Sequence, residues 1–269
     1  MDPRPIGVFD SGVGGLTIVR GLIELMPDEQ FLYFGDTARY PYGTRARDEV
    51  RRYALEIASW LVGQDVKMVV AACNSAAGAG LDHVRAAFPD LPIVEVIEPA
   101  VRAAVRATRN RRIGVIGTEL TISSGAYQRA VDATKENVTL VSNACPRFVE
   151  FVERGETVGA EITGVARDYL RPLQQQDVDT LILGCTHYPL LQGVLHSLMP
   201  DAVLISSAEE TALDVYGELA RRGTFRTADQ PPSHRFVSSG DAATFLALGS
   251  RFLGPEIAAV EERTLGPVA

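Results

Sequence analysis

The stretch VDTLILGCTHYPLL (residues 178–191) decides the fold of this chain. Its first half is an apolar run, which is typical of a strand buried on both faces of a sheet. Pro189 then fits the first turn of a following helix. Cys185, Thr186 and His187 are therefore predicted to lie at the carboxyl end of a parallel strand. In open α/β sheets this edge is where ligands bind.

A second stretch, VKMVVAACNSA (residues 66–76), has the same layout earlier in the chain. Cys73 takes the place of Cys185, 112 positions before it, and is followed by the polar residues Asn74 and Ser75. Two cysteines in matched settings indicate a functional pair, with one cysteine contributed by each half of the chain.

Apolar runs alternate with amphipathic stretches, which predicts βα units and parallel sheets. IGVFDS (residues 6–11) overlies IGVIGT (residues 113–118), and the cysteine strands follow in the same order. We interpret this as an internal duplication of two α/β halves. The alternative, that any two parallel strands look alike, is weakened by the repeated order. The predicted strands are residues 6–9, 31–34, 66–71, 93–97, 113–116, 138–141, 180–183 and 203–205.

The C-terminal part continues with a predicted helix over residues 208–222, a short strand at 236–238 and a helix at 242–252. We expect this part to complete the first half, which would make that domain discontinuous. The predicted domains are residues 1–97 together with 210–269, and residues 98–209.

Composition excludes several classes of protein. The 269 residues carry a net charge of −8, and the arginines form no basic block, so we expect no nucleic-acid partner. We expect no membrane association, because no apolar run is long enough to span a bilayer. Three cysteines and no signal-peptide pattern favour the cytoplasm. The two lysines, Lys67 and Lys135, do not follow a strand, which argues against pyridoxal phosphate.

Two glycine-containing loops follow the first two strands. DSGVGGLT (residues 10–17) lets the backbone turn and present N–H groups to a carboxylate or phosphate, but it lacks the spacing of a nucleotide-binding motif. Asp10 could orient a substrate ammonium or the proton of a thiol. GDTARYPYG (residues 35–43) could cover a site. In the second half, Thr118 and Thr121 could be helix caps or ligand contacts.

The paired cysteines suggest a specific chemistry. A thiolate on one face of a carbon atom and a thiol on the other can invert its configuration, because one removes a proton while the other delivers one. His187 beside Cys185 and Asp10 near Cys73 would tune the two thiols. Cys145 is expected to be a buried, unreactive cysteine.

A metal site is the competing interpretation. Cys185, His187, Cys73 and Asp10 offer sulfur, nitrogen and oxygen ligands. The remaining histidines are predicted to lie in helices or in a loop away from these residues, which disfavours a metal site.

Five motifs in this order, FDSGVGGLT, GDTARYPYG, ACNSA, GTELT and LGCTHYPLL, resemble those of bacterial glutamate racemases, in the cofactor-independent aspartate/glutamate racemase superfamily. The resemblance covers nearly the whole chain. It implies an α/β fold of two pseudo-symmetric α/β domains with mainly parallel sheets and the active site in the cleft between them. It also implies an isomerase that needs no cofactor and no metal and supplies D-glutamate for peptidoglycan, hence for cell-wall biogenesis and cell shape.

By the same resemblance, Cys73 and Cys185 are the catalytic bases, acting on D- and L-glutamate respectively, and Asp10, His187 and Glu153 assist them. One departure is Ser75, where the family usually has threonine. The substrate contacts implied by the family are Asp10, Ser11, Tyr42, Gly43, Asn74, Ser75, Thr118, Thr121, Thr186 and His187.

The sequence therefore predicts a glutamate racemase, with glutamate as the small-molecule partner and, as in relatives, a homodimer. Aspartate racemases of the superfamily typically carry Glu at the position of His187, so this residue favours glutamate. A racemase for aspartate or another amino acid, a metal-dependent hydrolase and a non-catalytic amino-acid-binding module are the alternatives.

Overall fold

The computed structural model describes residues 2–227 and 230–266. The strands are β1 (Ile6–Asp10), β2 (Phe31–Gly35), β3 (Met68–Ala71), β4 (Ile93–Glu95), β5 (Arg112–Gly117), β6 (Thr139–Ala144), β7 (Thr180–Gly184), β8 (Val203–Ser206), β9 (Arg235–Ser238) and β10 (Glu261–Glu262). The α-helices are α1 (Leu16–Leu25), α2 (Arg47–Gly63), α3 (Asn74–Ala79), α4 (Asp82–Ala87), α5 (Ile97–Ala107), α6 (Glu119–Ser123), α7 (Ala126–Thr134), α8 (Arg147–Arg154), α9 (Ala160–Gln174), α10 (Gln192–Leu198), α11 (Ser207–Arg222) and α12 (Ala242–Phe252). Short 3-10 turns cover Thr37–Arg39, Tyr42–Thr44, Tyr188–Leu191 and Gly254–Glu256.

The strands form two parallel sheets. The first has the order β10-β9-β2-β1-β3-β4 and the second the order β6-β5-β7-β8. Within β1 to β4 and within β5 to β8, the order is the same: the first strand of the set lies between its second and third, and the fourth lies at an edge. The predicted duplication of two α/β halves is therefore confirmed.

The central strands are apolar except at their ends, where β1 finishes with Asp10 and β7 begins with Thr180, because both of their faces are covered. All residues of β1, β2, β3 and β7 are buried. This is the burial expected of parallel strands in an α/β protein. A strand of this kind has no room for reactive side chains along its length, so polar residues can follow only where the strand ends.

All eight predicted strands are present, and only their ends differ. The strand predicted over residues 93–97 stops at Glu95, because the carboxylate of Glu95 accepts the backbone N–H groups of Ile97 (2.7 Å) and Glu98 (2.8 Å) and so starts α5. The two-residue strand β10 was not predicted, since it is exposed and carries no apolar pattern.

The chain returns to the first sheet after completing the second. Strand β9 pairs with β2, and α11 packs along α1. The division into residues 1–97 with 210–269, and 98–209, stays a prediction; the membership of the two sheets supports it. Residues 1, 228, 229 and 267–269, which belong to the first predicted domain, lie outside the described part. No helix among the described residues is long and apolar enough to cross a membrane.

A buried ion pair connects the segment around residues 224–226, where the chain returns from the second sheet, to the first half of the molecule. The Nζ atom of Lys67 lies 2.6 Å from Oε2 of Glu29, with both side chains at most 2% exposed. The ammonium also donates to the carbonyl of Thr224 at 2.8 Å, and Oε1 of Glu29 accepts the backbone N–H of Arg226 at 2.8 Å. The pair thus joins three segments that are distant in sequence.

Replacing Lys67→Met should lower the free energy of unfolding by about 3–5 kcal/mol, because the Glu29 carboxylate is left buried without a counter-charge. Urea titration of the purified variant measures this. The double variant Lys67→Met/Glu29→Gln keeps the acceptor for Arg226 while removing the charge, and should recover part of the loss. A cost below about 1 kcal/mol for the single variant would contradict the role given to this pair.

Candidate active site

Strand register brings the residues after β1 and β3 together. Phe9 pairs with Ala71, so that Ser11 and Cys73, each two residues further on, leave the sheet side by side. The thiol of Cys73 donates to the hydroxyl of Ser11 at 3.7 Å. Cys73 occupies the N-cap position of α3.

The second half repeats this arrangement. Gly117 pairs with Gly184, so that Thr118 and Cys185 follow the ends of adjacent strands. Ser11 and Thr118 are the residues that the internal duplication superimposes. Each cysteine therefore has a hydroxyl residue beside it at the edge of its own sheet.

Both thiols line one cavity of about 190 Å³ between the carboxyl edges of the two sheets. The third cysteine, Cys145, is fully buried outside this lining and donates to the carbonyl of Asn143 at 3.7 Å, as expected for an unreactive cysteine. The cavity is lined by every residue that the sequence proposed for the site except Thr121: Asp10, Ser11, Tyr42, Gly43, Cys73, Asn74, Ser75, Thr118, Glu153, Cys185, Thr186 and His187.

Asp10 is buried at the end of β1 and holds the glycine turn that follows. Its Oδ2 atom accepts the backbone N–H groups of Gly12 (3.2 Å) and Gly15 (3.0 Å). The prediction that these N–H groups receive an external carboxylate or phosphate is therefore wrong for these two groups. The protein's own carboxylate occupies them, because it follows the strand directly and reaches the turn.

The environment of Cys73 favours its neutral thiol. Burial of the side chain, which is 4% exposed, and then the negative charge of Asp10 raise the pKa of Cys73 well above its usual range. Its hydrogen bond to Ser11 opposes this shift only in part. Asp10 thus acts on Cys73 through its negative charge, while its carboxylate accepts hydrogen bonds from backbone N–H groups.

The environment of Cys185 has the opposite sign of charge. Nδ1 of His187 lies 3.9 Å from Sγ of Cys185, and Nε2 lies 3.2 Å from Oε1 of Glu153. Burial lowers the pKa of His187, but hydrogen bonds and charges from Cys185 and Glu153 outweigh burial and raise that pKa from 6.5 to about 10. His187 is therefore an imidazolium held between the sulfur atom of Cys185 and the carboxylate of Glu153.

Glu153 lies on α8 and is the outer partner of His187 in this series of contacts. Its burial would raise the pKa of the carboxyl group, yet the hydrogen bond and charge of His187 and a contact with Tyr40 lower the pKa overall. The carboxylate is therefore ionised at neutral pH. The ring of Phe252, from the end of α12, packs edge-on against His187 at 5.4 Å and closes the other side of the imidazole.

Three hydroxyl groups from the two halves meet at the cavity wall. Oγ of Ser75 lies 2.9 Å from Oγ1 of Thr118 and 3.3 Å from Oγ1 of Thr121, and the two threonine hydroxyls are 2.9 Å apart. Thr118 also caps α6 by accepting the N–H of Thr121. Thr118 is therefore both a cap and part of the lining, while Thr121 lies behind it.

The loop after β2 contributes Tyr42 and Gly43. The hydroxyl of Tyr42 donates to the buried carboxylate of Asp36, so this hydroxyl is not free for a ligand. Gly43 packs directly against the other half: a Cβ at this position would lie 2.7 Å from Cβ of Thr118. Glycine is required here because the two halves approach closely.

Several lining residues were not predicted from the sequence. Tyr40 and Glu119 lie inside the motifs GDTARYPYG and GTELT, and their position in those motifs was the available signal. Val149 and Glu150 precede Glu153 by one helical turn on α8, the spacing that places residues on one helix face. The missed lining residues are Tyr40, Pro41, Thr44, Glu119, Pro146, Val149 and Glu150.

The metal interpretation needs Cys73, Cys185, His187 and Asp10 to converge. Across residues 2–227 and 230–266, no group of three or more His, Cys, Asp or Glu side chains is arranged to hold a metal ion. The carboxylate of Asp10 faces backbone N–H groups instead. The ligand set of that alternative is therefore not assembled in the described structure.

Comparison with known proteins supports one family. A family model described as Asp/Glu/Hydantoin racemase matches residues 6–213. The glutamate racemase of Parafrankia sp. (strain EAN1pec) is 57% identical over 262 residues, which are 97% of this chain and 94% of the relative. That of Mycobacterium marinum is 53% identical over 96% of this chain and 95% of its own.

Solved structures agree with this result. A glutamate racemase from Francisella tularensis subsp. tularensis SCHU S4, in complex with D-glutamate, superimposes with a TM-score of 0.93 at 35% identity and 98% coverage of both chains. A glutamate racemase isoform from Bacillus anthracis gives a TM-score of 0.91 at 38% identity, covering 99% of this chain and 98% of its own. With its fold, its paired cysteines and its full-length similarity in agreement, this chain belongs to the Asp/Glu/Hydantoin racemase family and groups with the glutamate racemases.

Proposed function

We propose that this chain interconverts L- and D-glutamate by proton transfer between two cysteines. The observation that carries the proposal is that Cys73 and Cys185, from the ends of equivalent strands, line one cavity. The full-length relatives, named as glutamate racemases, supply the substrate. By resemblance to the family, the D-glutamate formed serves peptidoglycan synthesis.

The reaction moves one proton off the α-carbon and another onto it. The Cys185 thiolate takes the α-proton of L-glutamate, and the electron pair of the broken C–H bond passes into the α-carboxyl group. The Cys73 thiol then gives its proton to the opposite face, which yields D-glutamate and a Cys73 thiolate. The reverse reaction runs with the two roles exchanged. This assignment of cysteines to enantiomers comes from the family resemblance.

The charges beside the thiols support this starting state. Cys73 is kept neutral by burial and by Asp10, while the His187 imidazolium can donate to a Cys185 thiolate. Opposite environments for two otherwise equivalent groups provide one acid and one base at the same time. Glu153 and Asp10 act here as positioning and charge-setting residues.

Hydroxyl and amide groups are proposed to bind the substrate. No arginine or lysine of the described structure lines the cavity. The carboxylates of glutamate would therefore rest on hydroxyls and on backbone N–H groups of the lining. Among the carboxylates that line the cavity, only that of Asp10 lies beside Cys73 and Ser11. This carboxylate would attract the ammonium group of the substrate. The proposed substrate contacts are Asp10, Ser11, Tyr42, Gly43, Asn74, Ser75, Thr118, Thr186 and His187, and Thr121, which lies behind the lining, would act through the hydroxyls of Thr118 and Ser75.

A cytoplasmic location, the absence of a cofactor and a homodimeric state stay predictions from the sequence and the family resemblance. Size-exclusion chromatography with light scattering would determine the oligomeric state.

Incubation with L-glutamate in deuterated buffer should exchange the α-proton for deuterium and produce D-glutamate, which NMR and chiral chromatography detect. A chelator should have no effect, whereas a metal-dependent hydrolase would lose its activity. An amino-acid-binding module would bind glutamate without exchange. If L-glutamate remains undeuterated, the racemase proposal fails; if aspartate exchanges in its place, the substrate assignment fails.

Changing either Cys73→Ala or Cys185→Ala should reduce racemisation by at least about 100-fold, because each removes the acid or base of one face. The matched control is Cys145→Ala, which removes the remaining thiol outside the cavity and should retain activity close to that of the parent. Circular dichroism checks folding in all three variants. Racemisation at the parent rate in either active-site variant would refute the two-base mechanism.

The raised pKa of His187 predicts a pH-dependent contribution to stability. The folded protein retains the His187 proton up to about pH 10, whereas the unfolded chain loses it near pH 6.5. The contribution is fully present below pH 6.5 and is lost progressively as the pH rises from 6.5 to 10. In urea titrations across that window, the parent should therefore lose stability more steeply than the variant His187→Gln. Parallel pH profiles would contradict a raised pKa.

A further inference from the structure

Tyr127 is a buried side chain that the mechanism above does not use. It lies on α7, in the second half of the molecule, and is 3% exposed. Its hydroxyl accepts a hydrogen bond from Nδ2 of Asn74, in the first half, at 3.0 Å. Asn74 directly follows Cys73, so this bond connects the second half to the residue next to the first cysteine.

The same tyrosine contacts the residue before the second cysteine. A Cβ atom on Gly184 would lie 3.0 Å from the hydroxyl oxygen of Tyr127 and 3.1 Å from its ring. Glycine at position 184 therefore leaves the space that the tyrosine occupies beside Cys185. The side chain of Tyr127 thus contacts one sequence neighbour of each cysteine: Asn74, which follows Cys73, and Gly184, which precedes Cys185.

Asn74 is arranged to accept a hydrogen bond from a ligand. It is 3% exposed and lines the cavity. Its Nδ2 group is engaged by Tyr127, while its Oδ1 atom is buried without a hydrogen-bond partner in the described residues. A buried carbonyl oxygen left unpaired is costly, and a donor from a bound ligand would remove that cost. The ammonium group of an amino acid is such a donor.

We propose that Tyr127 is a positioning residue for the racemisation site. By accepting from Nδ2, it fixes the orientation of the Asn74 amide so that Oδ1 receives the ammonium group of glutamate. Because Tyr127 also packs on Gly184, it holds Oδ1 of Asn74 at a fixed distance from Cys185. The inference rests on the proposed function, since it requires an amino-acid substrate in the cavity.

The variant Tyr127→Phe tests this inference because it keeps the ring and removes the hydroxyl. The equilibrium constant between enantiomers is 1 by symmetry, so kcat/KM must fall equally in both directions. We expect KM for both L- and D-glutamate to rise about tenfold with kcat within about twofold, since the ammonium contact is made both in the bound substrate and in the transition state. Tyr169→Phe, outside the cavity lining, is the control.

Two further measurements separate positioning from a general structural effect. Glutarate has both carboxylates of glutamate but no ammonium group, so its inhibition constant should be unchanged in Tyr127→Phe. In the Asn74→Ala background, Tyr127→Phe should raise KM no further, because its effect acts through the amide. Weaker binding of glutarate, or effects that multiply in the double variant, would overturn the inference.

The outcomes remain distinguishable from failure of the proposed function. If the parent protein does not racemise glutamate, the function is wrong. If the parent is active and Tyr127→Phe has the parent KM, only the role of Tyr127 is wrong. Should Tyr127→Phe fail to fold, Asn74→Ala decides: glutamate KM must rise about tenfold while the glutarate constant stays the same, and an unchanged KM for glutamate overturns the inference.

Discussion

The register of the parallel strands is the constraint on which the candidate site depends. Two pairings determine which residues leave the sheets side by side: Phe9 with Ala71 in the first sheet, and Gly117 with Gly184 in the second. Side chains alternate between faces along a strand, so a shift of one residue would move every side chain to the opposite face of the sheet. Both faces of β1, β3 and β7 are packed, so side chains moved to the opposite face would no longer fit their neighbours, which disfavours such a shift. The cysteines are thereby held at facing sheet edges by the core itself.

Duplication supplies two equivalent thiols, but inversion at carbon needs two unlike ones. The structure differs between the halves in the charges that surround the sulfur atoms. Beside Cys73 lies the carboxylate of Asp10, and beside Cys185 lies the imidazolium of His187, which is held by Glu153. Because the cavity is small and the side chains are buried, these charges act in a poorly solvating environment, where their influence is strong. The chemistry proposed for the site therefore arises where the pseudo-symmetry is broken.

Sequence patterns predicted the features that depend on local order along the chain. Buried apolar runs ending in polar residues were sufficient to place eight strands and both cysteines, and the repeated order revealed the two halves. Contacts between distant side chains leave no such pattern. The engagement of Gly12 and Gly15 by Asp10, and the contact of Tyr127 with Asn74, depend on rotamers and packing that appear only in three dimensions. The ion pair of Lys67 with Glu29 has no local pattern either, because the two residues lie on different segments.

Gly14, in the first loop, has a different explanation from the one that the sequence first suggests. A Cβ on Gly14 would lie 2.3 Å from Oγ1 of Thr186 and 2.5 Å from the ring of His187, across the cleft. Thr17, one turn further on, donates to the backbone carbonyl of Thr186 at 3.1 Å. Glycine is therefore required at position 14 because the turn packs there against the second half beside Cys185. Close contact of backbone with the opposite half fixes the width of the cavity, and that width determines whether two thiols can reach opposite faces of one carbon atom.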